Sequence, residues 1–163
     1  MITRIGVFSD SHGDKQALSD LLEKMGHIDA TCFLGDVASD ADYLESLVAV
    51  MPNHPRFYAV RGNNDYAYAC FLQETCMAQI GGKRIYMTHG HRHTSLMSLA
   101  YTAKENGADV ALFGHTHRAF CEEAYGVLLL NPGSAGNYCR GGAARASVLE
   151  IDGDSMRVVD IAL

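Results

Sequence analysis

The sequence predicts a mixed α/β domain in which two β-sheets pack face to face and helices cover their outer surfaces. Strand and helix patterns alternate over residues 2–60, and hairpin patterns are more frequent from residue 77 onward. No repeat, low-complexity tract or linker interrupts the 163 residues, a length that suits one domain. We therefore expect residues 1–163 to fold as a single domain.

The first half alternates between short apolar strands and amphipathic helices. Leu18, Leu22 and Met25 recur at helical spacing in the first helix. The second helix must end before Pro52, because the residue that precedes a proline disfavours the helical conformation. The predicted elements are, in order, strand 2–8, helix 14–25, strand 30–34, helix 40–50 and strand 56–60.

The second half is richer in hairpins. Gly81-Gly82 and Asp152-Gly153 supply the tight turns of two of them. In the intervening helix, Leu96, Met97 and Leu99 are expected to face the core. The predicted elements are a short helix within 64–73, a hairpin of 77–80 and 83–88, helix 95–106, strand 108–113, a hairpin within 118–131 and a hairpin of 146–151 and 156–163.

Composition excludes several classes of protein. Hydrophobic residues make up 48% and the net charge is −6, which disfavours a broad basic face for a nucleic-acid duplex. A small phosphorylated substrate is still compatible, because bound metal ions can supply positive charge locally. No run approaches the roughly 20 apolar residues of a membrane span, and the N-terminus lacks the apolar core of a signal peptide, so we expect a cytoplasmic protein.

Cysteine usage restricts the kind of metal site. The five cysteines are odd in number and none forms a C-x-x-C pair, which disfavours a disulfide framework or a thiolate zinc site. Any metal must therefore be held by histidine, aspartate, asparagine and similar ligands.

Five predicted strands are each followed by a loop that carries metal-competent side chains. Ligands of α/β proteins bind beyond the carboxyl ends of strands, so these loops should converge. Each motif alone is weak, since a lone D-x-H or Gly-Asp is commonly a plain turn, but the ordered set is specific. The loop sequences are SDSH at 9–12, GD at 35–36, RGNND at 61–65, HGH at 89–91 and GHTH at 114–117.

The number of these side chains points to two metal ions. His115 and His117 are two residues apart and point to the same side of an extended segment. Nitrogen and oxygen donors without thiolate suit Mn, Fe, Zn, Ni or Co. Two ions about 3.5–4 Å apart form the usual clamp for displacement at phosphorus. The seven candidate ligands are Asp10, His12, Asp36, Asn63, His89, His115 and His117.

The ordered motifs, together with Asn-Pro-Gly-Ser at 131–134, resemble those of the calcineurin-like metallophosphoesterases, most of all the small single-domain phosphodiesterase branch. The resemblance covers essentially the whole chain. It implies a four-layer α-β-β-α sandwich with a dinuclear site at the strand ends. Mn²⁺ is the expected metal, with Ni²⁺, Zn²⁺, Fe²⁺ and Mg²⁺ as alternatives. One ion would be held by Asp10, His12, Asp36 and His117, and the other by Asp36, Asn63, His89 and His115, so that Asp36 bridges them.

The resemblance also implies a mechanism, with one departure. A hydroxide that bridges the ions would attack phosphorus in line, while the ions, Asn63 and Asn64 neutralise charge on the phosphoryl oxygens. Asn64 stands where many family members have a histidine that helps the leaving group depart. An amide can donate a hydrogen bond but cannot deliver a proton at neutral pH. Diesters with leaving groups that need little protonation are therefore the expected substrates.

Four further residues have open roles. Asp65 either holds a loop or a ligand histidine, or is a plain surface-turn residue. His91 either contacts the substrate or is a solvated loop histidine. Arg140, in the glycine-rich loop after residue 134, is a candidate phosphate contact, whereas Arg92 is expected on the exposed surface.

Two other functions compete with the diesterase. The retromer subunit that resembles this family is an interaction module with a degraded metal site, but every ligand position is filled here. A phosphomonoesterase or nuclease is disfavoured by Asn64 and by the acidic charge balance. The oligomeric state is open, and a homodimer through exposed strand edges is one outcome.

Overall fold

The computed structural model describes residues 1–66, 71–136 and 142–163. Among the described residues, no helix combines the length and the apolar character that crossing a membrane would need. The elements are β1 Thr3–Phe8, α1 Lys15–Met25, β2 Ala30–Phe33, α2 Ala38–Ala49, β3 Arg56–Ala59, β4 Thr75–Ile80, β5 Lys83–Thr88, α3 Leu96–Glu105, β6 Val110–Leu112, β7 Ala119–Ala124, β8 Val127–Pro132, β9 Arg145–Asp152 and β10 Ser155–Ala162.

The strands form two five-stranded sheets, and both are mixed. The first sheet has the order β10-β9-β1-β2-β3 and the second has the order β4-β5-β6-β8-β7. In the first sheet β1, β2 and β3 run parallel, and in the second β5, β6 and β8 do so. The other neighbouring strands pair antiparallel. The carboxyl ends of the parallel strands therefore gather at one edge of each sheet.

Three apolar layers hold the sheets and helices together. Side chains of alternate residues on β1 face opposite ways, so Ile5 and Val7 enter the layer between the sheets while Phe8 enters the layer under α1 and α2. On the outer face of the second sheet, α3 packs through Leu99 and Ala103. The order helix, sheet, sheet, helix confirms the four-layer α-β-β-α sandwich.

Local capping fixes where two of the helices begin. The Asp14 side chain accepts a hydrogen bond from the Ala17 amide at 3.0 Å, and α1 starts at the next residue. Ser95 does the same for α3 by accepting from the Ser98 amide at 3.1 Å. The bounds of the predicted helices 14–25, 40–50 and 95–106 lie within two residues of the observed ones.

One expectation about local structure differs from the fold, and another falls mostly outside the described residues. Within the predicted short helix 64–73, Tyr66 has a 3₁₀ conformation, residues 64–65 and 71–73 are not helical, and 67–70 lie outside the described residues. Leu96 and Met97 do not face the core, since they are 38% and 52% exposed while Leu99 is buried. Helix α3 packs on the second sheet through the stripe of residues 99, 100 and 103, and Leu96 in the first turn borders a surface cavity instead.

Ile5 should be a main contributor to the layer between the sheets. Ile5→Ala removes a fully buried side chain on a central strand, and we expect the free energy of unfolding to fall by about 2–5 kcal/mol. The matched control Ile2→Ala, at a position 52% exposed on the same chain segment, should change it by less than about 0.5 kcal/mol. Urea denaturation measures both, and equal losses would contradict the assigned layer.

Candidate metal centre

The loops that follow the parallel strands are joined to one another through the backbone. The Asp10 amide donates to the Gly35 carbonyl at 3.0 Å, and the His12 amide donates to the Asp36 carbonyl at 3.2 Å. In the second sheet the Gly114 amide donates to the His89 carbonyl at 3.0 Å. The predicted convergence of the motif loops is therefore built from main-chain contacts between neighbouring loops.

Two glycines permit the close approach of these loops. A Cβ atom at Gly62 would collide with the Asp36 carboxylate, and one at Gly114 would collide with the Ser9 hydroxyl and the Asp10 carboxylate. Gly62 and Gly114, which precede Asn63 and His115, thus make room for carboxylates of the adjoining loops.

Five of the seven predicted ligands adopt left-handed backbone conformations, which are rare for residues with a side chain. Such residues cost of order 1–3 kcal/mol each and persist only where the surroundings hold them, typically at functional sites. Their φ angles are 54° at Asp10, 45° at His12, 51° at Asp36, 67° at His115 and 60° at His117.

Asp10 lies at the centre of one group of potential ligands. Its fully buried Oδ1 is 3.3 Å from Nε2 of His117, 3.8 Å from Nε2 of His89 and 3.9 Å from Nε2 of His12. His12 and His117 lie 3.3 Å apart through their Nε2 atoms. Asp10, His12 and His117 are thus close enough to share one cation.

Asp36 and His89 form a second group with Asp10. Oδ2 of Asp36 lies 3.4 Å from Nε2 of His89. The Nδ1 atom of His89 is 2.7 Å from the Leu34 carbonyl, which can only accept, so Nδ1 carries the proton. In the neutral ring this leaves the Nε2 lone pair facing the two carboxylates, which is the orientation that a metal ligand needs.

Asn63 and His115 meet at the exposed side of this second group. Oδ1 of Asn63 is 3.1 Å from Nδ1 of His115, and the His115 ring lies 5.2 Å from the His89 ring between centroids. All seven predicted ligands are therefore near one another. Asp10 belongs to both groups of potential ligands, whereas the resemblance assigns the shared position to Asp36.

Two buried atoms test whether this set fits a cation. Among the described residues, Oδ1 of Asp10 and Nε2 of His89 are buried and have no hydrogen-bond partner. A buried carboxylate oxygen and a buried imidazole nitrogen without partners are costly unless something else compensates them. A divalent ion coordinated by both atoms would compensate them, so the donor set fits the expected metal.

The pKa shifts of Asp36 and His89 describe their ion pair without a metal. Burial by itself raises the pKa of Asp36, but His89 and two hydrogen bonds from Asn64 together hold it well below its usual range. Burial lowers the pKa of His89, and the nearby Asp36 and Asp10 carboxylates reverse this and raise it. A metal must displace a proton from His89 to bind there, so metal affinity should rise with pH.

Asp65 holds the loops that present the ligands. Its buried carboxylate accepts backbone N–H groups from Gly62 at 2.6 Å, Ala38 at 2.8 Å and Asp36 at 3.1 Å. Of the two roles left open by the sequence, the loop-holding one agrees with these contacts, and Asp65 is not on the surface.

Asp40 supports the centre and was not identified from the sequence. Asp40 is buried in α2 and accepts hydrogen bonds from the Ser11 hydroxyl at 2.6 Å and the Gly13 amide at 2.7 Å, which fixes the loop around His12. Nothing in the pattern of an amphipathic helix distinguishes this aspartate from its neighbours.

Asn131 and Ser134, in the Asn-Pro-Gly-Ser segment, anchor two ligand loops. The Asn131 amide donates to the Gly114 carbonyl at 2.9 Å and to Thr116 Oγ1 at 3.0 Å. The Ser134 hydroxyl donates to the Asp10 carbonyl at 2.7 Å. The sequence motif was a signal for this segment, but it did not indicate which loops the side chains would hold.

His91 and the candidate phosphate-binding arginines differ in their surroundings. Nδ1 of His91 is buried and has no hydrogen-bond partner among the described residues, and its ring lies 5.5 Å from that of His89. Burial, followed by the charge of His89, lowers the pKa of His91. Arg92 is exposed and forms an ion pair with Glu74 at 2.8 Å. Arg61 also forms an ion pair with Glu74, at 3.1 Å. Arg140 lies outside the described residues.

Comparison with known proteins places the chain in a family. The family model of the calcineurin-like phosphoesterase superfamily domain matches residues 3–154. The chain belongs to this superfamily. The resemblance of the ordered motifs is thereby confirmed, as is the coarser expectation of a metal-dependent phosphoesterase family.

Relatives of this calcineurin-like phosphoesterase include named phosphoesterases. The probable metallophosphoesterase YsnB of Bacillus subtilis is 32% identical over 132 residues, which are 78% of this chain and 72% of the relative. A phosphodiesterase of Methanocaldococcus jannaschii is 28% identical over 153 residues, which are 85% of this chain and 87% of the relative.

Solved structures agree on the architecture of this superfamily member. A conserved uncharacterized protein from Streptococcus pneumoniae, described as a predicted phosphoesterase, superimposes with a TM-score of 0.77 at 29% identity, over 99% of this chain and 90% of that one. Wild-type Vps29 from Entamoeba histolytica, solved as a complex with Zn²⁺, gives 0.71 at 22% identity over 98% and 99%, which shows the shared fold alone.

Asp40 should matter both to stability and to the metal centre. Asp40→Ala leaves the Ser11 hydroxyl and Gly13 amide without their acceptor, so the free energy of unfolding should fall by about 1–3 kcal/mol. The apparent affinity for Mn²⁺ should fall as well, because the loop around His12 loses its anchor. Calorimetry with Mn²⁺ and urea denaturation measure the two effects.

The matched control for this prediction is Asp42→Ala, two residues further along α2. Asp42 is exposed, so its loss should change the free energy of unfolding by less than about 0.5 kcal/mol and leave Mn²⁺ binding unchanged. If both variants bind Mn²⁺ as the wild type does, Asp40 has no part in holding the centre.

The pair of Asp36 and His89 should stabilise the metal-free protein most in mildly acid solution. The lowered pKa of Asp36 adds stability above about pH 4 that is lost as the pH falls through its lowered value. The raised pKa of His89 adds stability below about pH 6.5 that is lost as the pH rises through its raised value. Asp36 and His89 therefore contribute their full stabilisation between about pH 4 and about pH 6.5.

Urea midpoints of chelator-treated protein from pH 5 to pH 9 measure this contribution. We expect the midpoint to fall above neutrality in the wild type and in the control His27→Asn, whose imidazole is exposed. In Asp36→Asn the fall should be much smaller, because the partner charge is gone. An unaltered pH dependence in Asp36→Asn would disprove this assignment.

Proposed function

We propose that this protein is a metal-dependent phosphodiesterase that acts on a small phosphorylated substrate through two divalent ions, with residues 1–163 as its single domain. The observation that carries the proposal is the complete set of nitrogen and oxygen donors at one edge of the sandwich, with two buried donor atoms that lack partners among the described residues. The phosphodiesterase of Methanocaldococcus jannaschii among the relatives supports the reaction type.

The proposed ligands are those assigned from the sequence. Asp10, His12, Asp36 and His117 would hold one ion, and Asp36, Asn63, His89 and His115 the other. When bound, the ions would supply a hydroxide nucleophile near neutral pH and positive charge for the phosphoryl oxygens. We propose Mn²⁺ as the metal, because donors of this kind without thiolate suit it.

The chain's own residues then position the substrate and limit the chemistry. Asn64 donates its side-chain amide to Oδ2 of Asp36 at 2.7 Å and its backbone amide to Oδ1 at 3.1 Å, so it steadies a ligand from beside the centre. It cannot release a proton to a leaving group. The His91 ring lies 5.5 Å from that of His89 and 6.2 Å from that of His115. We propose His91 as a contact to a phosphoryl oxygen. Arg140 remains a proposed phosphate contact.

Thiol chemistry is compatible with a cytoplasmic location. Within the described ranges Cys32, Cys76 and Cys121 are free, and burial raises the pKa of the Cys32 and Cys76 thiols. Protonated thiols of this kind persist in a reducing compartment such as the cytoplasm, where we propose that the enzyme acts.

The proposal predicts metal-dependent hydrolysis of an aryl diester. Metal-stripped protein should hydrolyse bis-p-nitrophenyl phosphate after addition of Mn²⁺, because p-nitrophenolate leaves without the proton that Asn64 cannot supply. It should hydrolyse this diester faster than the monoester p-nitrophenyl phosphate, as expected of a phosphodiesterase. Asp36→Asn should lower kcat/KM by at least about 10²-fold, since it removes a charged ligand that the ions share. Release of p-nitrophenolate measures each rate.

The control Asp42→Asn removes an exposed carboxylate from α2, six residues after Asp36, and should retain full activity. Ni²⁺, Zn²⁺ and Mg²⁺ added in parallel identify the preferred metal. Folded wild-type protein that turns over neither ester with any of these metals would overturn the proposed enzyme and favour an interaction module on the same fold.

A further inference from the structure

A surface cavity of about 250 Å³ lies beside the metal centre. Two loops form it, the one that follows β5 and the one that follows β6, together with the first turn of α3. Among the described residues that line the cavity, His115 is the one predicted metal ligand.

The lining of the cavity is apolar inside and neutral at its rim. Phe113 and Leu99 are buried and form the floor, while Leu96 is 38% exposed at the mouth. His93, Ser95 and Thr116 contribute polar groups, and burial lowers the pKa of His93, so its ring is neutral at pH 7. The described residues that line the cavity include no Lys, Arg, Asp or Glu, so a charged group would gain no partner from them.

His115 connects the cavity to the metal centre. His115 lines the cavity, and its Nδ1 atom lies 3.1 Å from Oδ1 of Asn63. A phosphodiester at the centre carries two ester substituents that point away from phosphorus. One of them can therefore enter the cavity while the phosphoryl oxygens remain beside His115 and Asn63.

We propose that this cavity is the subsite for an apolar ester substituent of the diester, a single aromatic ring or a short apolar chain. The inference rests on the proposed phosphodiesterase function and names the class of its substrate. The volume lies below the roughly 300–1,000 Å³ of pockets that enclose drug-sized molecules, so a single ring fits better than a larger group. Leu96, exposed at the mouth although it is apolar, would be covered by that substituent.

The test compares two neighbouring exposed residues of α3. Leu96→Ser changes the mouth of the cavity, and Met97→Ser changes a side chain that is 52% exposed and does not line it. The probes for binding are diphenyl phosphate and dimethyl phosphate. Calorimetry with Mn²⁺-loaded protein measures the affinity for each. The probes for turnover are bis-p-nitrophenyl phosphate and methyl p-nitrophenyl phosphate.

Leu96→Ser should weaken diphenyl phosphate binding about three- to tenfold, as expected for losing part of a leucine contact, and leave dimethyl phosphate unchanged. The KM for bis-p-nitrophenyl phosphate should rise by a similar factor with little change in kcat. If Leu96→Ser also raises the KM for methyl p-nitrophenyl phosphate, the p-nitrophenyl leaving group occupies the cavity. If that KM does not change, the substituent that stays on phosphorus occupies it. Met97→Ser should behave as the wild type with every probe.

The inference and the proposed function fail in distinguishable ways. If the wild type hydrolyses the diesters and Leu96→Ser binds diphenyl phosphate as tightly as Met97→Ser does, the subsite is wrong and the enzyme stands. If diphenyl and dimethyl phosphate lose affinity equally in Leu96→Ser, the subsite is also wrong. If nothing is hydrolysed but Leu96→Ser selectively weakens diphenyl phosphate, the cavity binds the apolar group and the catalytic proposal fails.

Discussion

The buried carboxylate of Asp10 joins the two sheets at the end of the molecule that carries the metal centre. It follows β1, the central strand of the first sheet, and its Oδ2 accepts the backbone N–H of His115 from the second sheet at 2.9 Å. Ser9 donates to the same oxygen at 2.6 Å. A fully buried anion is unfavourable without such partners, so the loops of both sheets are held where they can satisfy it.

The loops around Asp10 are held in conformations that their sequences would not adopt alone. Left-handed backbone at Asp10, Asp36 and His115 has a cost that short loops cannot recover locally. Support comes instead from residues distant in the chain, such as Asp40 in α2 and Ser134 after β8. The rigid sandwich thus stabilises a strained ligand set, as expected where local preference and function conflict.

Sequence patterns were sufficient for the elements and for the convergence of the ligands, because both depend on short spacings. Apolar runs identify strands, and a polar motif directly after a strand must lie at its carboxyl end. Asp40 could not be found in this way, since its contacts to residues 11 and 13 span 27 to 29 positions of the chain. The exposure of Leu96 also escaped prediction, because it depends on where the first turn of α3 lies relative to the second sheet.

The distribution of charge gives the proposed dependence on metal an electrostatic reason. The floor of the centre is formed by the buried carboxylates of Asp10 and Asp36, while His12 and His117 are half-buried and His115 is exposed. A phosphate that approaches from the exposed imidazoles would meet this negative floor and be repelled. In the proposed function, divalent cations bound by these carboxylates and imidazoles would reverse the sign of the field there. The arrangement that leaves Oδ1 of Asp10 without a hydrogen bond among the described residues would then favour phosphate binding only after the cations are bound.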